Sequence, residues 1–231
     1  HMNSSFKSPN ISHTHTLTNI KDHIKIWLLT QNISTPMKSS TSAFDLNEEI
    51  EVWPHAISTE SNTVIYDHIT LKSVLAHYTG QAIQQINTQK TVLGKPYLVD
   101  FPKLYFSVSH TKNFSCIAVS NIGEIGIDIE NEQSTLKDQD LPFTALSANE
   151  QAYCLTQANQ RQAFFSIWTA KEALLKAIGC GLNAPLSDFS VLPDGQSYHF
   201  IPHTAAFESL QTRFKHYLTE DGIHVTYCIL T

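Results

Sequence analysis

The chain has 231 residues and a mass of 25.9 kDa, 42% apolar and 16% charged, which supplies a packed core and excludes a disordered charged tail as its main content. Fifteen basic residues against 21 acidic ones leave a net charge of −6, and only Arg161 and Arg213 are arginine. Without a basic stripe the chain is not expected to bind duplex nucleic acid, whose affinity rests largely on phosphate neutralisation.

His1-Met2 reads as a cloning remnant and residues 1–18, rich in Ser, Thr, Asn and His, as a flexible segment outside the fold. No positively charged start precedes an apolar run, so no signal peptide is expected. No apolar stretch approaches the roughly 18 residues of a membrane span. Cys116, Cys154, Cys180 and Cys228 lack metal-type spacing, so neither a disulfide framework nor a zinc site is expected. A reduced, cytoplasmic protein is the simple reading.

His23–Leu29 and Glu49–Trp53 read as strands, and apolar spacing from Asn62 to Tyr78 predicts a helix stopped at Gly80. Strand-like pieces follow at Leu104–Val108, Phe114–Ser120 and Ile125–Glu130, the last two expected to pair as a hairpin through Gly123-Glu124. Ser147, with Glu150 three residues on, has capping-box spacing at the start of a helix. A second helix is predicted from Arg161 to Ile178, ended by Gly179 and Gly181. Hairpins are expected around Pro193-Asp194-Gly195 and Glu220-Asp221-Gly222. No repeat is legible in the letters.

Three patterns carry chemistry. On the strand Ile125–Glu130, Asp128 and Glu130 point to one side and Ile127 and Ile129 to the other. Adjacent carboxylates repel unless a cation lies between them, and Mg²⁺ is the natural one, although a solvated polar face explains the same spacing. On the second helix, Phe164, Ile167, Trp168, Leu175 and Ile178 form one apolar stripe with Lys171 near its middle. That lysine must snorkel, pair or meet an anion. Glu172 and Lys176 flank the stripe at i, i+4, as a helix ion pair or as metal and phosphate contacts. Gly94-Lys95-Pro96 is a rigid turn presenting a lysine, and Ser109-His110 ends a strand with groups able to hydrogen-bond a phosphate or to serve structure.

Taken in order, Gly94-Lys95-Pro96, Phe106-Ser107-Val108-Ser109-His110-Thr111, Ile125–Glu130 and FFSIWTAKEALLKAIGCGL (164–182) resemble the Sfp-type 4′-phosphopantetheinyl transferases. The resemblance covers about residues 94–182. It implies an α+β fold, a pseudo-dimer of two similar α+β halves (19–121 and 122–231) with the active site in the cleft between them. It implies transfer of the 4′-phosphopantetheine arm of coenzyme A to a serine of an acyl or peptidyl carrier protein, releasing adenosine 3′,5′-bisphosphate. By the same resemblance Asp128, Glu130 and Glu172 hold Mg²⁺. Lys95, Ser109, His110, Lys171 and Lys176 contact the phosphates of coenzyme A. Glu172 and Lys176 are the catalytic pair, with a metal-bound water or Glu150 as other candidate bases. Many relatives carry several basic residues where Trp53–Tyr78 here has Lys72 alone, with His55, His68 and His77. Either the alignment slips there, or the 3′-phosphate is held weakly, or histidines stand in. Leu141, Phe143 and Leu146 make Gln139–Leu146 an expected carrier-docking loop or a loop folded on the core. A monomer is expected. Two further readings are a non-catalytic coenzyme A or carrier-binding module and a Mg²⁺-dependent pyrophosphate hydrolase.

Overall fold

The first elements among the described residues are strand β1 (Ile24–Thr30), the short strand β2 (Ile50–Trp53) and helix α1 (His68–Thr79). The computed structural model describes residues 24–30, 50–53 and 68–231, apart from 112, 113, 135, 182 and 183. The expected flexible segment 1–18, His55 and the beginning of the Asn62–Tyr78 helix lie outside the described residues.

A hairpin of β3 (Thr88–Lys90) and β4 (Pro96–Leu98) follows, then β5 (Tyr105–Thr111), β6 (Phe114–Ser120) and β7 (Ile125–Asn131). Gly94 takes φ +93° in the turn between β3 and β4, a backbone region that disfavours residues with a Cβ. Helices α2 (Ala148–Thr156) and α3 (Gln160–Ile178) come next. The Ser147 hydroxyl caps α2 and Glu150 reaches back to the Ser147 amide, as its spacing predicts. Gly179, at φ +83°, ends α3 in the left-handed conformation. The chain closes with β8 (Phe189–Asp194), β9 (Ser197–Pro202), the one-turn helix α4 (Ala205–Glu208), β10 (Thr212–Leu218) and β11 (Ile223–Leu230).

One sheet has the order β2-β1-β6-β5 and another the order β10-β11-β7. The hairpin expected between Phe114–Ser120 and Ile125–Glu130 is therefore corrected. Strand β6 pairs with β5, Phe114 opposite Thr111, and with β1 on its other edge, so both its edges are taken. Strand β7 pairs instead with β11, Asp128 opposite Thr226. The four residues after β6 carry the chain between sheets, and Gly123 permits the crossing: a Cβ there would lie 2.1 Å from the Leu230 carbonyl oxygen.

In this mixed helix and strand fold β1 and β2 precede α1 and the hairpins β3–β4 and β5–β6, while β7 precedes α2, α3, the hairpin β8–β9, α4 and the hairpin β10–β11; β1 pairs antiparallel with β6 and β7 with β11. Strand β6 serves two cores. Ile117 and Val119 pack with Val74, Leu75 and Phe106, while Cys116 and Ala118 pack with Ile125, Ile127 and Ile129 of β7. A third core surrounds α3, including Phe164, Ile167 and Leu175 of the predicted stripe. Leu141 and Leu146 are buried in that core and Phe143 lies 4.9 Å from the Phe164 ring, so the Gln139–Leu146 segment folds back on the protein rather than offering its apolar side chains to a partner.

Candidate active site

Three elements meet where β5 runs beside β7 and α3 covers β7. The odd-numbered isoleucines of β7 enter the core shared with β6, which leaves Gly126, Asp128 and Glu130 on the helix side. Gly126 is what brings the helix close. A Cβ there would sit 2.0 Å from the Ala173 carbonyl oxygen and 2.3 Å from the Ala177 nitrogen. With the backbones in contact, Lys176 reaches Asp128: its Nζ lies 2.7 Å from Asp128 Oδ1.

Ser109 of β5 completes the knot. Its hydroxyl donates to Asp128 Oδ1 at 2.7 Å and accepts from Lys176 Nζ at 2.8 Å. Ser107, two residues earlier and hence on the same side of the strand, accepts the Ile127 amide at 3.0 Å. The two sheets are thus joined at this point by side-chain hydroxyls. The signal in the letters was the Ser107-x-Ser109 alternation, which a motif reading centred on Ser109-His110 passes over. His110 is exposed, on the opposite parity from Ser109 and shared with Phe106 and Val108, which pack toward α1. The structure does not bring it into the knot.

The carboxylates are strained electrostatically. Burial raises the Asp128 carboxyl above the usual range, opposed by Lys176 and the Ser109 hydroxyl. Glu130 is pushed up to about 7, by burial first and then by Asp128, with Glu172 adding and Lys176 opposing. Burial and then Asp128 raise Glu172 as well. Asp128 thus raises both glutamates, and Glu172 raises Glu130, around one ammonium, so the site is short of positive charge. Asp128 Oδ2 is buried without a hydrogen-bond partner. Hard oxygen donors with an unsatisfied carboxylate oxygen suit Mg²⁺. Among the described residues no three metal-ligating side chains are already drawn together into a cage, so the fit rests on the donor set and that orphaned oxygen.

Lys171 requires a correction. It is fully buried, and its ammonium bonds both oxygens of Glu150 (2.7 and 2.9 Å) and the Phe189 carbonyl (2.7 Å), lying 4.2 Å from the Phe189 ring centroid. Its three donors are spent inside the core and none remains for a phosphate. Glu150, equally buried, also accepts the Ser147 and Val191 amides, so it is no candidate base either. The lysine in the apolar stripe has taken the pairing option, with a partner one helix away.

Lys95 is likewise engaged. Its ammonium forms an ion pair with Glu124 and donates to the Ala177 carbonyl. Two further arrangements had no clear sequence signal. Arg161 donates to the Glu132 carbonyl, to Asp138 Oδ1 (2.8 Å) and to Ser134, pinning the segment that follows β7 to the first turn of α3. His216 Nε2 and His224 Nδ1 are 3.1 Å apart, and His224 Nε2 lies 3.0 Å from Glu132 Oε2.

Residues 124–228 match the family model described as the 4′-phosphopantetheinyl transferase superfamily. A 4′-phosphopantetheinyl transferase of Bacillus subtilis is 32% identical over 47% of this chain and 53% of its own. The 4′-phosphopantetheinyl transferase HetI of Nostoc sp. is 35% identical over 48% of this chain and 49% of its own. Sfp of Bacillus subtilis strain 168 is 26% identical over 59% of this chain and 62% of its own. The chain thus spans about half to two thirds of the length of these relatives. No helix among the described residues is long and apolar enough to cross a membrane.

Proposed function

We propose that this chain is a member of the Sfp-type 4′-phosphopantetheinyl transferase family and transfers the 4′-phosphopantetheine arm of coenzyme A to a serine hydroxyl of an acyl or peptidyl carrier protein. The observation that carries the reading is the Asp128–Lys176–Ser109 knot, with Glu130 and Glu172 coupled to it.

Asp128, Glu130 and Glu172 would hold Mg²⁺, which when bound neutralises charge on the pyrophosphate of coenzyme A. The carrier serine oxygen forms a bond to the pantetheine-side phosphorus, and the bond from that phosphorus to the bridging oxygen breaks. The electron pair leaves with adenosine 3′,5′-bisphosphate. Glu172, on α3 one turn before Lys176, takes the serine proton. Lys176, 29% exposed, turns its remaining N–H donor to the phosphates. His110 at the exposed end of β5 is the second phosphate contact, and Ser109 orients Asp128 and Lys176.

The pseudo-dimeric arrangement belongs to the same reading. The like strand pairing in the two parts (β1 with β6, β7 with β11), and the location of the knot where β5 of one runs beside β7 of the other, support a site in the cleft between two similar halves, 19–121 and 122–231. The residues of the knot come from one copy of the chain, which supports a monomer as the working form, and a cytoplasmic location is part of the same proposal.

The test is to incubate the protein with coenzyme A, Mg²⁺ and an apo-carrier protein and weigh the carrier. A gain of the phosphopantetheine mass, lost on chelating Mg²⁺, is expected. An unmodified carrier with intact coenzyme A would favour a binding module, and coenzyme A cleaved without a carrier would favour a hydrolase.

A further inference from the structure

The Gly94-Lys95-Pro96 turn lies far in sequence from α3, yet Lys95 ends on it. Its ammonium donates to the carbonyl of Ala177, the residue after Lys176, and pairs with Glu124, the residue before β7 begins. Its stem lies over Gly179, where a Cβ would come 2.8 Å from Lys95 Cδ and 3.1 Å from Lys95 Cβ. Gly179 is thus required for two reasons, its left-handed φ and the room it leaves for this lysine. The side chain is 11% exposed.

The Ala177 carbonyl belongs to the last turn of α3, where helical carbonyls lack intrahelical donors and a cation is favoured. The Glu124 backbone carbonyl receives the Leu230 amide at 2.9 Å, fixing that residue to β11 and so to the sheet that carries Asp128. One ammonium therefore ties the end of the helix bearing Glu172 and Lys176 to the start of the strand bearing Asp128 and Glu130. The span between Lys176 Nζ and Asp128 Oδ1 depends on how that helix lies along that strand, and Lys95 fastens the two at their common end.

We propose that Lys95 is a positioning residue for transfer, acting through Glu124 and the Ala177 carbonyl to hold Lys176 and Glu172 in register with the β7 carboxylates, and not a ligand of coenzyme A. The inference rests on the transferase reading above and assigns one residue within it. It predicts that Lys95 acts on turnover rather than on binding, and that its effect runs through Glu124.

The experiment compares wild type, Lys95→Met, Glu124→Gln and the double variant. It measures kcat per folded molecule with coenzyme A, Mg²⁺ and an apo-acyl carrier protein, and coenzyme A affinity by calorimetry. Expected is a tenfold or larger fall in kcat for Lys95→Met with the coenzyme A Kd within twofold. Glu124→Gln should fall in the same direction, and the double variant should be no worse than Lys95→Met, because both act through one contact. A tenfold rise in coenzyme A Kd with kcat retained would overturn the assignment in favour of a direct phosphate contact. Unchanged kcat with only a lowered melting temperature would overturn it in favour of a purely structural role. Absence of transfer by wild type would fail the parent reading, and this assignment with it.

Discussion

Lys176 and Asp128, 48 residues apart, meet at 2.7 Å because Gly126 lets strand β7 touch the backbone of α3. Around this contact the acidic groups outnumber the cation, and Ser109 is the only hydroxyl that bridges both partners among the described residues. The contact fixes what each nearby substitution should do.

Glu172→Ala removes the carboxyl proposed to take the serine proton. Transfer should fall by at least about a hundredfold, within the range of lost general-base catalysis, while the circular dichroism spectrum and melting temperature stay near wild type. The half-buried Glu172 loses a strained charge in this variant, so no stability is forfeited. Near-normal transfer would remove Glu172 from the site.

Ser109→Ala leaves Asp128 and Lys176 in place but strips the hydroxyl from between them. A stability loss of about 1–3 kcal/mol is expected from a buried hydrogen-bonding group left unsatisfied, read by urea denaturation. Transfer should weaken with it, and Ser109→Thr should restore part of both.

Lys171→Met breaks the buried pair with Glu150 from one side. The remaining carboxylate stays buried with two backbone amides as partners, and a loss of about 3–5 kcal/mol is expected. Pairing it with Glu150→Leu should recover part of that loss. Coenzyme A affinity of the folded fraction should not change, since the lysine has no exposed surface. A weakened affinity would return Lys171 to the phosphate site.

The histidines give a pH dependence. Burial lowers His224 to about 4, and burial together with His224 lowers His216 to about 3, against an ordinary 6.5. A neutral His224 donates Nε2–H to Glu132 and accepts from His216 at Nδ1, so protonation breaks the chain. In the unfolded chain both histidines bind protons from about pH 6.5 downward, while in the folded protein they do so only near 4 and 3. Their contribution is therefore complete above pH 6.5 and is lost as pH falls toward 3, by several kcal/mol in all. The raised site carboxylates act with the opposite sign. Comparing wild type with His216→Gln isolates the histidine term, and denaturation midpoints should show a flatter slope from pH 6.5 to 4 in the variant. Identical slopes would contradict it.

The sequence determined what local rules govern. Alternation placed Asp128 and Glu130 on one side of β7 and the isoleucines on the other, because successive strand residues face opposite ways. Capping chemistry set the start of α2 at Ser147, and the left-handed conformation open to glycine set the end of α3 at Gly179. Motif order pointed to the transferase superfamily whose model matches residues 124–228. Tertiary structure alone decided which partner each charged group keeps. Lys171 and Lys176 are five residues apart on one helix, yet one is sealed with Glu150 and the other faces Asp128, because opposite faces of α3 pack on different elements. Strand pairing was decided in the same way: β7 joins β11 rather than the preceding β6, whose edges were already filled. Lys95 shows the limit most plainly, since a turn lysine that reads as a phosphate contact has its charge matched by Glu124 and a helix carbonyl. Side-chain charge is written in the sequence, but its counter-charge is chosen by packing between residues tens of positions apart.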